Sequence, residues 1–340
     1  MAITDSSLLN QPIPSHEVME QAAEWFALLR SGEACEQDHL RWNSWLNSDA
    51  SHRVAWHYVE QISQRFNPIH TSPDPHSTAK ILQNTRRNRR RVLIGIGTLV
   101  GSSLFGWATW RHTALPGFAM AWMADHTTVT GEVRKITLPD GTRVWLNTAS
   151  AFNIDYRSDL RRLNLVAGEM LIETATDPVR PLVVDTPQGR LHALGTRFTV
   201  RLEESETFLA VYEGAVRAHA STGTSIIVNA GHQIRYTNED FSLPITADPA
   251  RAAWTQGILL ARDIPLKQVV DELRRYRKGY LGIAPEVADL LVFGSFPLQN
   301  SDQALAMLES VLPIRIQHTL PWWVSIEPRL PSIPPGTDPI

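Results

Sequence analysis

The sequence predicts a multi-domain chain: a small all-α bundle, one transmembrane helix, an all-β domain that is a sandwich or solenoid-like, and a C-terminal α+β module. Three observations carry this. Residues 92–110 hold no charge and follow five arginines, at 86, 87, 89, 90 and 91. Helical periodicity and four tryptophans fill residues 16–66. Beyond the apolar run, short alternating strands with glycine corners give way near residue 254 to a mixed pattern.

The bundle comes first. Val18, Ala22, Trp25 and Leu29 recur at helical spacing, and Gly32 marks a break. A second helix covers roughly residues 36–46 with Leu40, Trp42 and Trp45. A third covers residues 51–66, with Val54, Tyr58, Ile62 and Phe66 as its stripe. A bundle of about fifty residues has little interior, so Trp25, Trp42, Trp45 and Trp56 cannot all be enclosed. One or two are expected to face a partner, because tryptophan is enriched at binding hot spots.

Residues 67–85 are rich in proline and serine and read as a tether. A helix over residues 92–110 rises roughly 28 Å, about the thickness of a hydrocarbon core. Only Arg111 and His112 follow it closely, so the positive-inside rule puts residues 1–91 in the cytoplasm and residues 111–340 outside. Some ninety residues precede the run, which favours a signal anchor over a cleaved signal peptide, although Ala119-Met120-Ala121 resembles a cleavage site. Asn88-Arg89-Arg90-Arg91-Val92-Leu93 is loosely similar to a twin-arginine signal. Gly95, Gly97, Gly101 and Gly106 would ease unwinding of the span, at about 1 kcal/mol each.

Residues 125–245 read as β structure. Strands at residues 131–138 and 143–147 flank the turn Pro139-Asp140-Gly141-Thr142. Strand, glycine corner and strand then recur around Gly168, Gly214 and Gly231, as stacked hairpins of a sandwich or a short solenoid. In residues 254–328, Leu266, Val269, Val270, Leu273 and Tyr276 give one amphipathic helix. Asn300 caps a second, with Leu305, Leu308 and Leu312 inward. Strands near residues 258–260, 280–283, 290–296 and 313–317 give a β-α-β-β-α-β order, and a strand near 322–326 closes it. On the last strand, Trp322 and Trp323 are expected to point to opposite faces.

Composition excludes several classes. Net charge is −3, with no global pull toward nucleic acid. The single cysteine, Cys35, leaves the outer part without a disulfide. The twelve histidines show no metal-ligand spacing, and no P-loop, dinucleotide or G-x-S-x-G motif is present. No cofactor and no metal are expected.

The chain resembles the FecR family, membrane-spanning anti-sigma regulators of cell-surface signalling. The inner segment resembles it in Ala22-Ala23-Glu24-Trp25, in Trp42 with Trp45-Leu46, and in Ser51-His52-Arg53-Val54-Ala55-Trp56. The outer segment does so in Leu138-Pro139-Asp140-Gly141-Thr142-Arg143-Val144-Trp145-Leu146-Asn147 and Gly168-Glu169. Val184-Asp185-Thr186-Pro187, Leu194-Gly195-Thr196-Arg197-Phe198, Val211-Tyr212-Glu213-Gly214 and Ala230-Gly231-His232-Gln233 continue the likeness. Ala253-Trp254, Ile264-Pro265-Leu266 and Glu272-Leu273 with Arg275-Tyr276 open the last module, which is similar to the secretin/TonB short N-terminal fold.

The resemblance implies a domain plan: a cytoplasmic anti-sigma domain at 1–66, a linker at 67–91, the span at 92–110, a periplasmic FecR-like β domain at 118–246, the module at 250–328 and a tail at 329–340. The bundle, through Trp25, Trp42, Trp45 and Trp56, would bind an extracytoplasmic-function sigma factor. The module, through Trp254, Trp322 and Trp323, would bind the signalling domain of a TonB-dependent siderophore receptor. Periplasmic and intramembrane proteases would release the inner domain. Gly195-Thr196 resembles a bond at which family members break their own chain by an N→O acyl shift, with His192 and His232 as bases by residue type only. Otherwise no enzyme activity is expected. Two other readings stand beside this one: a membrane-anchored periplasmic enzyme, and an assembly protein of a secretion channel.

Overall fold

The computed structural model describes residues 14–66 and 124–329. The tether, the transmembrane segment expected at 92–110, the Ala119-Met120-Ala121 site and the tail beyond Arg329 lie outside the described residues. Among those described, no helix is long and apolar enough to cross a membrane. The described residues divide into two compact units, one joining the N-terminal helices to residues 248–329, the other built mainly from residues 134–247.

In the first unit, α1 (His16–Arg30), α2 (Glu36–Ser48) and α3 (Ala50–Phe66) form the expected bundle. Ser15 caps α1 by accepting from the Val18 amide. Cys35 begins α2, and its amide and thiol both donate to the Asp38 carboxylate. Ala22 and Ile62 are inward as read, and the rest of the two inward faces is shifted by one position. Met19, Ala22, Ala23 and Phe26 are buried on α1, and Ala55, Val59 and Ile62 on α3. Tyr58 is exposed instead of inward, and α2 buries no residue, with Leu40 open to solvent. Ala22, Ala23 and Ala55, all fully enclosed, let α1 and α3 approach, and Met19, Phe26, Val59 and Ile62 fill the space around them.

The C-terminal elements of this unit follow the expected order with two 3-10 helices added, the shorter of them Pro285–Val287. A 3-10 helix over Pro249–Gln256 leads to β15 (Ile258–Pro265), α4 (Leu266–Tyr276), β16 (Tyr280–Ile283), β17 (Leu291–Pro297), α5 (Ser301–Val311), β18 (Ile314–Leu320) and β19 (Trp323–Pro328). The first strand runs longer than expected, through a bulge between Arg262 and Ile264. β15 pairs β17, while β16, β19 and β18 form a second small sheet. All five apolar positions read for α4 are buried, and Asn300 caps α5 by accepting from the Gln303 amide. In the same unit α1 rests on β18 and β19. Trp323 shares one apolar cluster with Met19, Phe26, Val59 and Ile62, its indole donates to Glu20 at 2.8 Å, and His16 meets Glu327 at 2.7 Å.

The second unit is a β-sandwich of two seven-stranded sheets. One contains β1 (His126–Thr127), β4 (Ala151–Tyr156), β5 (Arg161–Ala167), β7 (Leu182–Thr186), β8 (Gly189–Ala193), β11 (Ala215–Ala220) and β12 (Ser225–Asn229), in that spatial order. The other contains β14 (Ile245–Thr246), β13 (His232–Tyr236), β10 (Thr207–Glu213), β9 (Arg197–Leu202), β6 (Glu169–Glu173), β3 (Arg143–Leu146) and β2 (Arg134–Thr137). Both contribute to one core, with Phe152, Leu163, Leu182 and Leu191 from the first and Leu146, Met170, Phe198 and Leu209 from the second. Burial of each such side chain contributes roughly 1.5–3 kcal/mol, which is what holds a domain without disulfides.

The glycine corners are not hairpin turns. Gly168, Gly195, Gly214 and Gly231 stand where the chain leaves one sheet for the other, all with φ between +73° and +80°. Left-handed backbone at this angle favours glycine. From β7 on, hairpins thus fall alternately in the two sheets. The solenoid alternative holds for a single coil, β5 to β6 to β7, which brings β7 back parallel to β5.

Candidate functional site

The Gly195-Thr196 bond lies at the corner between β8 and β9. Gly195 is exposed and left-handed, with φ +73°. Thr196 is buried, and its hydroxyl has no hydrogen-bond partner. The backbone of Thr196 is held on both sides. Its N–H donates to Thr174 Oγ1 at 2.8 Å, and its carbonyl accepts from the Thr174 amide at 3.0 Å and the Thr174 hydroxyl at 3.1 Å. Gly214 lies against the bond from the next corner. A Cβ there would sit 2.2 Å from the Gly195 carbonyl oxygen and 3.0 Å from Thr196 Cγ2.

Neither histidine expected as a base reaches the Thr196 hydroxyl. His192 sits on β8 opposite Val183 and Arg217, its Nε2 buried without a partner. Burial lowers its pKa first, and His219, Arg190 and Arg217 lower it further. His232 is exposed on β13, with Nδ1 at 3.3 Å from the Ala230 carbonyl. Thr174 and Gly214 were not among the expected site residues. Thr174 is an ordinary strand-end threonine in the sequence, and only the β6–β9 register brings it to Thr196.

The four bundle tryptophans are all half-buried. Trp42 lies 5.0 Å from Trp56, ring centre to ring centre, and its indole N–H is buried without a partner. Trp45 stacks on His52 at 4.5 Å and donates to Gln21 at 2.9 Å. Trp56 packs at 5.8 Å from Phe26. Trp25 makes none of these ring contacts and sits half-buried on α1. Ring contacts thus link Trp42 to Trp56 and Trp56 to Phe26, and Trp45 packs against the same apolar cluster as Trp56.

In the C-terminal module Trp254 and Trp323 are buried, at 4% and 0% exposure, and Trp322 is half-buried. Trp322 and Trp323 do not point to opposite faces. Trp322 lies in the turn before β19, outside strand alternation, and both rings join the cluster against the helices. Trp322 stacks on Phe66 at 5.8 Å and meets Phe26 edge-on at 5.9 Å.

Several residues that carry the family likeness are internal wiring. Asp140 accepts from the Thr142 amide and hydroxyl, from Tyr156 and, at 2.6 Å, from Arg161. Arg161 also donates to the carbonyls of Arg180 and Ala175. Asn147 donates to Glu169 at 2.8 Å. Gly168 leaves room for Ser150, whose Oγ would lie 2.1 Å from a Cβ. Among the described residues no group of three or more acidic, histidine or cysteine side chains is arranged to hold a metal ion.

Residues 124–217 match the family model described as FecR protein. Residues 20–62 match a second model, a domain of unknown function numbered 4880. The FecR likeness read from the motifs is thus met in both the helical and the β segment. No curated protein matches the chain. Among solved structures, it is similar to a candidate anti-sigma factor from Parabacteroides distasonis ATCC 8503, seen in crystals at 1.65 Å resolution. The two are 24% identical with a TM-score of 0.50, over 60% of this chain and 98% of the other. A second crystal structure with the same description, at 2.50 Å resolution, is 24% identical with a TM-score of 0.49, over 60% and 97%. At this identity the likeness concerns the fold.

Proposed function

We propose that the chain is an inner-membrane anti-sigma factor. Its bundle binds an extracytoplasmic-function sigma factor, and its outer part takes a signal from the signalling domain of a TonB-dependent siderophore receptor. The observation that carries this reading is a tryptophan-rich helical segment and a FecR-matching β domain in one chain, on either side of an apolar run behind five arginines. Domain bounds follow as 1–66, 67–91, 92–110, 118–246, 250–328 and 329–340.

A bilayer between residues 91 and 111 puts the bundle and the module on opposite sides. The packing of α1 on β18 and β19 then cannot form in the inserted chain. Two apolar surfaces are left bare by its loss: Phe26, Trp56 and Phe66 on the bundle, and Trp322, Trp323 and Tyr280 on the module. The first suits a sigma factor together with Trp25, Trp42 and Trp45. The second suits the receptor. Trp254 is enclosed within the module and outside that cluster, so the receptor surface rests on Trp322 and Trp323.

Regulated proteolysis releases the inner domain, and the first break is at Gly195-Thr196. Thr196 Oγ1 attacks the Gly195 carbonyl carbon, the C–N bond breaks, and the hydroxyl proton ends on the nitrogen. Water then hydrolyses the ester, giving a Gly195 carboxylate and a free Thr196. A left-handed glycine and an unpartnered, buried hydroxyl favour the attack. Beyond this single turnover the protein catalyses no reaction.

The test is capture of the full chain from detergent-solubilised membranes, with bound proteins identified by mass spectrometry. A sigma factor is expected, and Trp42→Ala or Trp56→Ala is expected to weaken its binding by ~30-fold, a loss of about 2 kcal/mol. A folded chain that carries no sigma factor would sink the proposal.

A further inference from the structure

The register that sets β6 beside β9 continues one step past both strands. Thr174 follows β6, Thr196 precedes β9, and Glu173 faces Arg197 between them. One side chain therefore holds both backbone polar groups of Thr196. The atom held at 2.8 Å by Thr174 Oγ1 is the nitrogen of the Gly195-Thr196 bond. In an acyl shift that nitrogen is the leaving atom.

We propose that Thr174 is a catalytic residue of this break: its hydroxyl oxygen holds the leaving nitrogen and stabilises the amine which that nitrogen becomes. The proposal rests on the self-cleavage reading above. While the bond is intact the nitrogen is a neutral amide donor. After the shift it carries the former hydroxyl proton as a neutral amine, and at neutral pH it takes another proton from water. Hydrogen bonds from a charged donor are about twice as strong as neutral ones. An acceptor already at 2.8 Å therefore stabilises the ester-amine state more than the amide, and draws the equilibrium toward the ester that water attacks. The hydroxyl is fixed for this task, because its own proton is directed to the Thr196 carbonyl at 3.1 Å. Gly214 complements it on the other side of the bond. With no side chain there, the Gly195 carbonyl oxygen has space to move as its carbon becomes tetrahedral.

A strand-end threonine that merely satisfies a backbone N–H would show the same contacts, so the test must read the reaction. The full chain is made in membranes and followed by pulse-chase. Fragments beginning at Thr196 are identified by mass, and hydroxylamine, which cuts esters and spares amides, reports the ester fraction. The wild type breaks at 195/196 and Thr196→Ala stays whole. Thr174→Ser is expected to break within about twofold of the wild-type rate. Thr174→Val, which keeps the shape and loses the oxygen, is expected to be at least tenfold slower with a smaller ester fraction. Should Thr174→Val fail to fold, Thr174→Cys serves instead, since sulfur is a weak acceptor. It is expected to be slower than Thr174→Ser. Thr174→Val breaking at the wild-type rate, or Ser and Cys variants breaking equally fast, overturns the role of Thr174 and leaves self-cleavage standing. A wild-type chain that stays whole overturns self-cleavage and this proposal with it.

Discussion

Asp140 and Arg161 form a pair in which each side chain is only 4% exposed. Burial by itself raises the Asp140 carboxyl, but hydrogen bonds from Thr142 and Arg161 outweigh it and hold the group below its ordinary range. A depressed carboxyl adds stability above its unfolded value, near 3.9, and that stability is lost as pH falls through the folded value. Asp140→Asn should cost about 1.5–3 kcal/mol at pH 7, because Arg161 loses its nearest carboxylate and keeps only Asp177, at 4.0 Å. Urea unfolding should show the gap between variant and wild type closing below about pH 4. An unchanged midpoint at pH 7 would mean that the pair is dispensable. At this scale the sequence was a partial guide. Asp140, Asn147 and Glu169 stood out as motif residues, yet their task is internal bonding. Thr174 stood out not at all, since nothing local marks a threonine whose partner is twenty-two positions away.

Elements were more legible than residues. The helices were found from their 3.6-residue period and their caps, both local signals. In α4 all five apolar positions are buried as read; in α1 and α3 the buried face keeps Ala22 and Ile62 but otherwise shifts by one position, with the small Ala23 and Ala55 at its centre. Glycine corners were visible as glycines, but their work of carrying the chain between sheets depends on pairing that no short window contains. Space separates them. Gly231 has nothing within 4 Å of an added Cβ, whereas Gly214 would press on the Gly195 carbonyl. Gly231→Ala should therefore cost only the left-handed strain of about 1–2 kcal/mol. Gly214→Ala adds a clash and should cost roughly 2–4 kcal/mol. Denaturant midpoints of the two variants, compared side by side, check the order. Equal losses would show that the corners are not packed as described.

For the whole molecule the two-compartment plan came from charge and hydropathy, and its span falls on residues the structure does not describe. Cys35, exposed and the sole cysteine, is a built-in reporter of it. In intact spheroplasts a membrane-impermeant maleimide should leave Cys35 unlabelled and should label it after permeabilisation. In a Cys35→Ser chain, Ser310→Cys on the module should label in both. Labelling of Cys35 from outside would show that α1 can reach β19, and the two-sided plan would fall. The sandwich holds one more consequence. A break after Gly195 parts the strand order cleanly in each sheet: β1, β4, β5, β7 and β8 from β11 and β12, and β2, β3 and β6 from β9, β10, β13 and β14. Among the described strands two borders join the pieces, β8 to β11 and β6 to β9. A nicked domain is thus a heterodimer with a single seam through both layers, able to migrate as one species in gel filtration yet lacking any covalent tie across that line. Tension applied to its two ends would meet paired strands instead of a peptide bond, and the joint would behave as a clutch, gripping at rest and slipping under load.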